Sequence, residues 1–300
     1  MQQGSLSQSA WTATEKASSA LSRFADACRV IARNRLALLG LFIVSAGILT
    51  AIFAPYLATH DPYEIDIAKR LQTPSLEHWL GTDSLGRDTY SRIVFGARTA
   101  FEIAAGAVFL GAFFGIPLGA IAGFTGRWVD STIMRFMDAI MAFPGRLLAI
   151  ALVASAGGGF ASLYIALGLS SIPSNARIVR SAVLSQKERE YVEAARMTGE
   201  SEFSILFFQV LPNCFSPLLV RFSLEFAHAI LAESSLSFLG LGLPPPTASW
   251  GLMLKEVTPF LQLQPMAAFF PGLTISLIIL GFNLLGDGLR DIFDPRQYER

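Results

Sequence analysis

Charge is what this chain has least of. Only 15% of its 300 residues are Asp, Glu, Lys or Arg, against about 25% in an ordinary soluble domain. The 23 basic and 23 acidic side chains cancel, which removes any general pull toward nucleic acid. Lysine occurs only at positions 16, 69, 187 and 255, and none of the four follows a glycine. A G-x-x-x-x-G-K-[ST] phosphate loop is therefore missing, and with it the usual route to ATP hydrolysis. Two cysteines, Cys28 and Cys214, do not make a disulfide framework. Neither G-x-S-x-G nor H-E-x-x-H occurs, so an intramembrane hydrolase or zinc protease lacks its usual signature. His60 and His78 have acids nearby, but their spacing matches no closed ligand set, and no metal centre is expected.

What is abundant is apolar: 52% of the residues, with a mean hydropathy of +0.49. Disorder, collagen and coiled coil need charge or repeats that are lacking here, which leaves an all-α polytopic membrane protein. A crossing needs about 20 mostly apolar residues. Charge-free runs at Leu36–Thr59, Ile103–Gly126 and Leu147–Ala176 meet that length. The last is too short for two crossings, yet Gly157, Gly158 and Gly159 offer a turn within it. Two spans fit if the earlier one begins near Ile133 and carries Asp138 and Arg146 into the membrane. Phe203 to about Leu239 makes a fifth span, interrupted by Arg221, Glu225, His228 and Glu233, and Val257–Gly286 a sixth.

Six helices is the expectation. With the N-terminus inside, 15 Lys and Arg from Lys16 to Arg300 fall on the cytoplasmic side and six, Lys69, Arg70, Arg87, Arg92, Arg98 and Lys255, outside. The positive-inside bias thus selects N-in, C-in. The expected layout is a cytoplasmic N-terminal segment 1–35, mobile to about Glu15 and amphipathic from Phe24. An anchor at 36–58, rather than a cleaved signal, leads to an external segment at 59–98. A five-span core at 99–290 and an internal tail at 291–300 complete the chain.

The internal stretch SQKEREYVEAARMTGESEF carries the strongest organisational signal. Helix formers Glu193, Ala194, Ala195 and Arg196 end at Gly199, where a left-handed cap is easy, so a short helix is expected outside the bilayer. Small Ala194 and Ala195 would let a partner approach closely. Docking surface and plain loop both remain open on spacing alone.

Asp138 lies three residues from Arg135, which predicts a local ion pair. Arg146 falls nearer mid-membrane, where it would meet a substrate carboxylate, a neighbouring helix or a partner subunit. Arg221, Glu225 and His228 share one helix side, with the first two spaced to pair. Outside, Asp83, Arg87, Asp88 and Arg92 precede or enter an expected interfacial helix after Gly86, with Trp79, Tyr90 and Phe95 as surface anchors. An outer gate or docking ledge and a structural brace are both open readings.

HWLGTDSLGRDTYSR, MDAIMAFPG, EREYVEAAR, SLSFLGLGLPPP, SWGLML and FNLLGDGLRD follow one another from His78 to Asp291. In that order they resemble the C-type permease subunits of dipeptide and oligopeptide ABC importers, and Glu193-Ala194-Ala195, Gly199, Leu211 and Pro212 resemble their EAA loop. The resemblance implies a type I importer fold and half of a translocation pathway. It implies as partners a second, B-type permease, two ATPase subunits that hold ATP and Mg, and an external peptide-binding protein, with no cofactor on this chain. It places Glu190, Tyr191, Glu193, Ala194, Ala195 and Gly199 in a groove of an ATPase subunit, or leaves Glu193 bonded within its own loop. Gln209 departs from the family's usual Ile, and Arg146 from its small or apolar residue. Peptide leads as substrate, with nickel chelates, glutathione or another peptide-like solute as alternatives. An ion-coupled carrier is the remaining class, but the paired inverted repeats that mark one are not evident.

Overall fold

The computed structural model describes residues 34–293. The expected N-terminal amphipathic stretch and most of the C-terminal tail lie outside those residues. The described chain is helical, with a single isolated bridge between Thr82 and Asp88.

Helix α1, Arg35–Ile52, begins where the Asn34 side chain accepts from the amides of Leu36 (3.0 Å) and Ala37 (3.2 Å). It is shorter than the charge-free run, because Pro55 has no N–H to continue the ladder and the chain restarts as the one-turn α2, Ala54–Leu57. Helix α3, Thr89–Thr125, is capped by Asp88 and runs 37 residues without a break. The separate interfacial helix expected before the second span is instead its first turns, since nothing between Thr89 and Ile103 interrupts the hydrogen bonding.

The third span is where expectation and structure differ most. Helix α4, Arg127–Met141, starts six residues earlier than Ile133 and meets α5, Gly145–Ala156, at a 76° bend. Pro144 sets that bend, because it cannot donate into a continuing helix. The glycine turn at 157–159 forms as expected, with Gly157 at φ 87°. Helix α6, Phe160–Lys187, then returns along α3 and leads to α7, Glu190–Met197.

The fifth run is likewise not one helix. Residues Ile205–Val210 wind as a π-helix ahead of Pro212, and only Phe215–Phe238, α8, is regular. A short α9, Trp250–Val257, precedes α10, Met266–Phe293. The sixth span therefore begins nine residues after Val257, once Pro259 and Pro265 have been passed.

Among the described residues four helices, α1, α3, α8 and α10, are long and apolar enough to cross a membrane, or five if the bent pair α4–α5 is one span. Helix α6 has the length but carries Ser170, Ser171, Asn175, Arg177 and Arg180. Ser171 and Asn175 are directed at α3 and α8, and Arg177 and Arg180 pair with Asp138 and Asp130 of α4, so it need not offer lipid a fully apolar surface.

Helices α3 and α6 meet through glycine. A Cβ at Gly111 would lie 1.9 Å from Ser171 Oγ, at Gly115 2.7 Å from Asn175 Cβ, at Gly119 2.3 Å from the Ala176 carbonyl and at Gly123 2.8 Å from the Arg180 carbonyl. Repetition every four residues keeps one face bare of side chains, which permits this approach. Helix α10 packs on both α1 and α8, with Phe226 and Phe282 stacked at 5.3 Å.

Candidate functional site

Three regions concentrate chemistry. At the end of the bundle where α3 finishes, α7 divides cleanly into two faces. Val192 and Ala195 are buried in a cluster with Val183, Ile205, Leu206 and Val210, and Tyr191 is half-buried beside them. Burial pushes the Tyr191 phenol above its usual range. Glu190, Glu193, Ala194 and Met197 are exposed at i, i+3, i+4 and i+7 spacing, one helix face. Ala195 packs into that cluster and Tyr191 half into it, so of the two small residues Ala194 is the one on the outward face.

The end of α7 is a Schellman motif. Glu200 N donates to the Ala195 carbonyl (3.2 Å) and Gly199 N to that of Arg196 (3.0 Å), with Gly199 at φ 82°. The helix is also tied down laterally. Arg196 makes a two-point ion pair with Glu202 (3.0 and 3.2 Å) and lies 5.7 Å from the centre of the Phe124 ring. Lys187 Nζ donates to the Phe124 carbonyl at the end of α3. Gln209, the departure from the EAA pattern, donates to Glu200 (2.6 Å) and so ties the π-helical segment to the cap.

Halfway along α8, Glu225 is 4% exposed and accepts from Arg221 (3.0 Å) and from Asn175 of α6 (3.1 Å). The pairing read from i, i+4 spacing forms, but Asn175 was missed, because it stands in a charge-free run and carries no charge itself. Arg221, Glu225 and His228 line a 270 Å³ cavity with Ser170 and Ser171. A neighbouring 380 Å³ cavity is lined by Arg146, Ala149 and Ser235, and shares Ser170, His228 and Ala232 with the first. Three of the four pathway candidates, Arg146, Glu225 and His228, therefore come together. Asp138 does not: it is exposed and pairs with Arg177 of α6 rather than with Arg135, since α4 turns it toward its neighbour. Glu233, also in α8, is held by Ser237 (2.7 Å) and Ser249 (2.8 Å).

The opposite end of the bundle holds the four remaining candidates, all of them buried. Arg87 bridges Asp83 and Glu256 at 2.6 Å each, and Arg92 reaches Glu256 and the Pro62 carbonyl at 3.3 Å each. Asp88 takes no part in this. It accepts from Ser91 N (2.8 Å) and Ser91 Oγ (2.7 Å), and its Oδ1 lies 2.9 Å from His78 Nδ1. Glu256 and Pro62 were not legible, as each lies far in sequence from the arginine that it meets. On the rim, Lys69 and Glu77 pair at 2.6 Å. Each favours the other's charged form, raising the lysine and lowering the carboxylate from their ordinary values.

Comparison with known proteins adds the following. Residues 115–298 match the family described as binding-protein-dependent transport system inner membrane component, and residues 22–74 match the N-terminal TM domain of oligopeptide transport permease C. The dipeptide transport system permease protein DppC of Alkalihalophilus pseudofirmus is 44% identical over 92% of this chain and 91% of its own. The glutathione transport system permease protein GsiD of Pectobacterium atrosepticum is 44% identical over 86% of this chain and 85% of its own. Among solved structures, a chain of the MetNI methionine ABC transporter in an inward-facing conformation superimposes with a TM-score of 0.56 at 15% identity, covering 68% of this chain and 97% of that one.

Proposed function

Because the chain belongs to the family of binding-protein-dependent transport system inner membrane components, we propose that it forms half of the pathway by which an ATP-driven importer carries dipeptides or oligopeptides across the cell membrane. Its fold is that of a type I ABC importer membrane domain, and members of the family are non-catalytic membrane subunits. The finer reading is that six spans, N-in and C-in, place α7 in the cytoplasm. There it acts as the coupling helix of the 185–200 loop, seated in a groove of an ATPase subunit that binds ATP and Mg. A second, B-type permease completes the pathway, and an external peptide-binding protein delivers the solute.

One observation carries this reading: the exposed face of α7, Glu190, Glu193, Ala194 and Met197, stands on a helix rooted to α3 and α6. A surface that moves as one piece with two long helices transmits force, whereas a loose loop would absorb it. ATP-driven closure of the ATPases would then rotate those helices and turn the cavities from one side of the membrane to the other. Within the cavities the Arg146 guanidinium suits a peptide carboxylate, while Glu225, paired with Arg221, and His228 line the wall. Asp83, Arg87, Asp88 and Arg92 brace the external end. The relatives' names include a glutathione permease, so a γ-linked tripeptide is the second reading.

Site-directed crosslinking tests the assignment. In the assembled transporter, Ala194→Cys should crosslink to an engineered cysteine in the ATPase groove, whereas the buried Ala195→Cys should not. Equal yields at both positions would overturn it. Proteoliposomes with the matching binding protein then separate dipeptide from glutathione by the solute that accumulates.

A further inference from the structure

We propose that His60, Glu77 and His78 form a binding site for a divalent transition-metal ion of the zinc class, at the end of the bundle opposite α7. The site is separate from the two cavities, and the proposal does not depend on which solute they carry.

Folding brings the three residues together from two parts of the segment between α2 and α3, one on each side of the short turn Ile67–Lys69. One ligand-capable atom from each lies within 4.8 Å of the others, and the two imidazole rings sit 4.6 Å apart. Spacing along the chain conceals this, because His60 follows α2 while Glu77 and His78 belong to the loop before α3. Two imidazoles and a carboxylate are the donor set that zinc takes in open sites, with water as the fourth ligand.

The second observation is the state of His78. The ring is buried, 4% exposed, yet its Nε2 has no hydrogen-bond partner among the described residues. Its other nitrogen is 2.9 Å from Asp88 Oδ1. In the tautomer whose Nδ1–H donates to that carboxylate, Nε2 presents a lone pair. A carboxylate that fixes one imidazole nitrogen and leaves the other for the metal is the usual outer shell of a zinc histidine. An orphaned buried nitrogen is otherwise uncommon and costly. His60 Nδ1 lies 3.1 Å from Thr59 Oγ1 and 3.9 Å from Asp88 Oδ1, and its Nε2 has no hydrogen-bond partner among the described residues.

Glu77 is the adjustable member. Tetrahedral zinc holds its N and O ligands about 3.4 Å apart, so the triad closes by drawing in the exposed Glu77 side chain. That carboxylate now meets Lys69 at 2.6 Å through one oxygen. The ion would clasp the segment after α2 to the loop that caps α3, adding a fixed point where hydrogen bonds now serve alone.

The test uses the assembled transporter in lipid nanodiscs, free of any polyhistidine tag and stripped with a chelator. Zn²⁺ alone is titrated in competition with a chromophoric chelator. One saturable equivalent per copy of this chain is expected, with affinity falling roughly tenfold or more in His60→Ala and in Glu77→Gln. Lys69→Ala should retain it or bind more tightly. Both ligand variants leave the His78–Asp88 contact in place, and an unchanged elution profile of the complex confirms their assembly. The absence of saturable binding, or wild-type affinity in His60→Ala, would overturn the proposal.

Discussion

Glu225 shows how one side chain can be both a liability and a requirement. At 4% exposure its charge has little water, and the Arg221 guanidinium and Asn175 amide replace that water. Removing one partner of such a pair strands the other, which typically costs about 3–5 kcal/mol. Arg221→Ala should therefore lower the denaturant or thermal midpoint of the complex sharply, and Arg221→Ala with Glu225→Ala should recover much of the loss. A double variant no more stable than the single one would show that Arg221 contributes chiefly by packing. Gly199 presents a different economy. A Cβ there would meet nothing within 4 Å, so only φ, at 82°, resists substitution. Asn tolerates that conformation and should couple ATP hydrolysis to uptake as wild type does. Val, strained by about 1–2 kcal/mol in the left-handed region, should unwind the cap and lower uptake per ATP hydrolysed. This glycine was legible in the sequence because a helix stop has a local signature. The burial of Ala195 was not, since two adjacent alanines look alike until packing distinguishes their faces.

Between elements, the decisive contact is α3 on α6, where Gly111, Gly115, Gly119 and Gly123 bring two helix backbones together. Gly119 is the tightest against backbone, 2.3 Å from the Ala176 carbonyl to a hypothetical Cβ, and a carbonyl cannot rotate away as a side-chain tip can. Gly119→Leu should cost about 3 kcal/mol or more by overpacking and be read as loss of the folded complex in size-exclusion profiles. Gly272→Ala, inside helix α10 where a Cβ would meet nothing, should be far milder and is the matched control. The four-residue spacing is plain in the chain, yet a count of charge-free runs passes over it, because glycine registers neither as charge nor as strong hydrophobicity. The same count found an apolar run within each of α1, α3, α8 and α10, but began the second span 14 residues late, at Ile103, and the last two about ten residues early, at Phe203 and Val257. It misjudged the bent α4–α5 pair, where Pro144 breaks an amphipathic helix from an apolar one, and the π-helical turn before Pro212. Both are continuous with apolar sequence and are distinguished only by where the backbone can still donate.

At the scale of the whole molecule the described chain has two chemically different ends. Asn34 and Asp291 meet at 3.2 Å, joining the start of α1 to the end of α10, at the end where α3 finishes and α7 sits. The other end carries the buried Asp83–Arg87–Arg92–Glu256 network and the loop from 58 to 88. If basic residues are retained inside, the α7 end is cytoplasmic, and the two ends must then differ in access to a reagent that cannot cross the bilayer. Leu76 is 99% exposed at one end and Met197 89% at the other, so neither needs unfolding to react. In a Cys28→Ser background, with Cys214 buried, Leu76→Cys should be labelled by an impermeant maleimide in sealed, right-side-out membranes. Met197→Cys should be labelled only after permeabilisation, and binding of the ATPase subunits should then protect it, since it lies on the same helix face as Ala194. Labelling of Met197→Cys in sealed membranes would place the lever on the wrong side of the bilayer from ATP and end the coupling assignment, whatever the crosslinking of Ala194 showed.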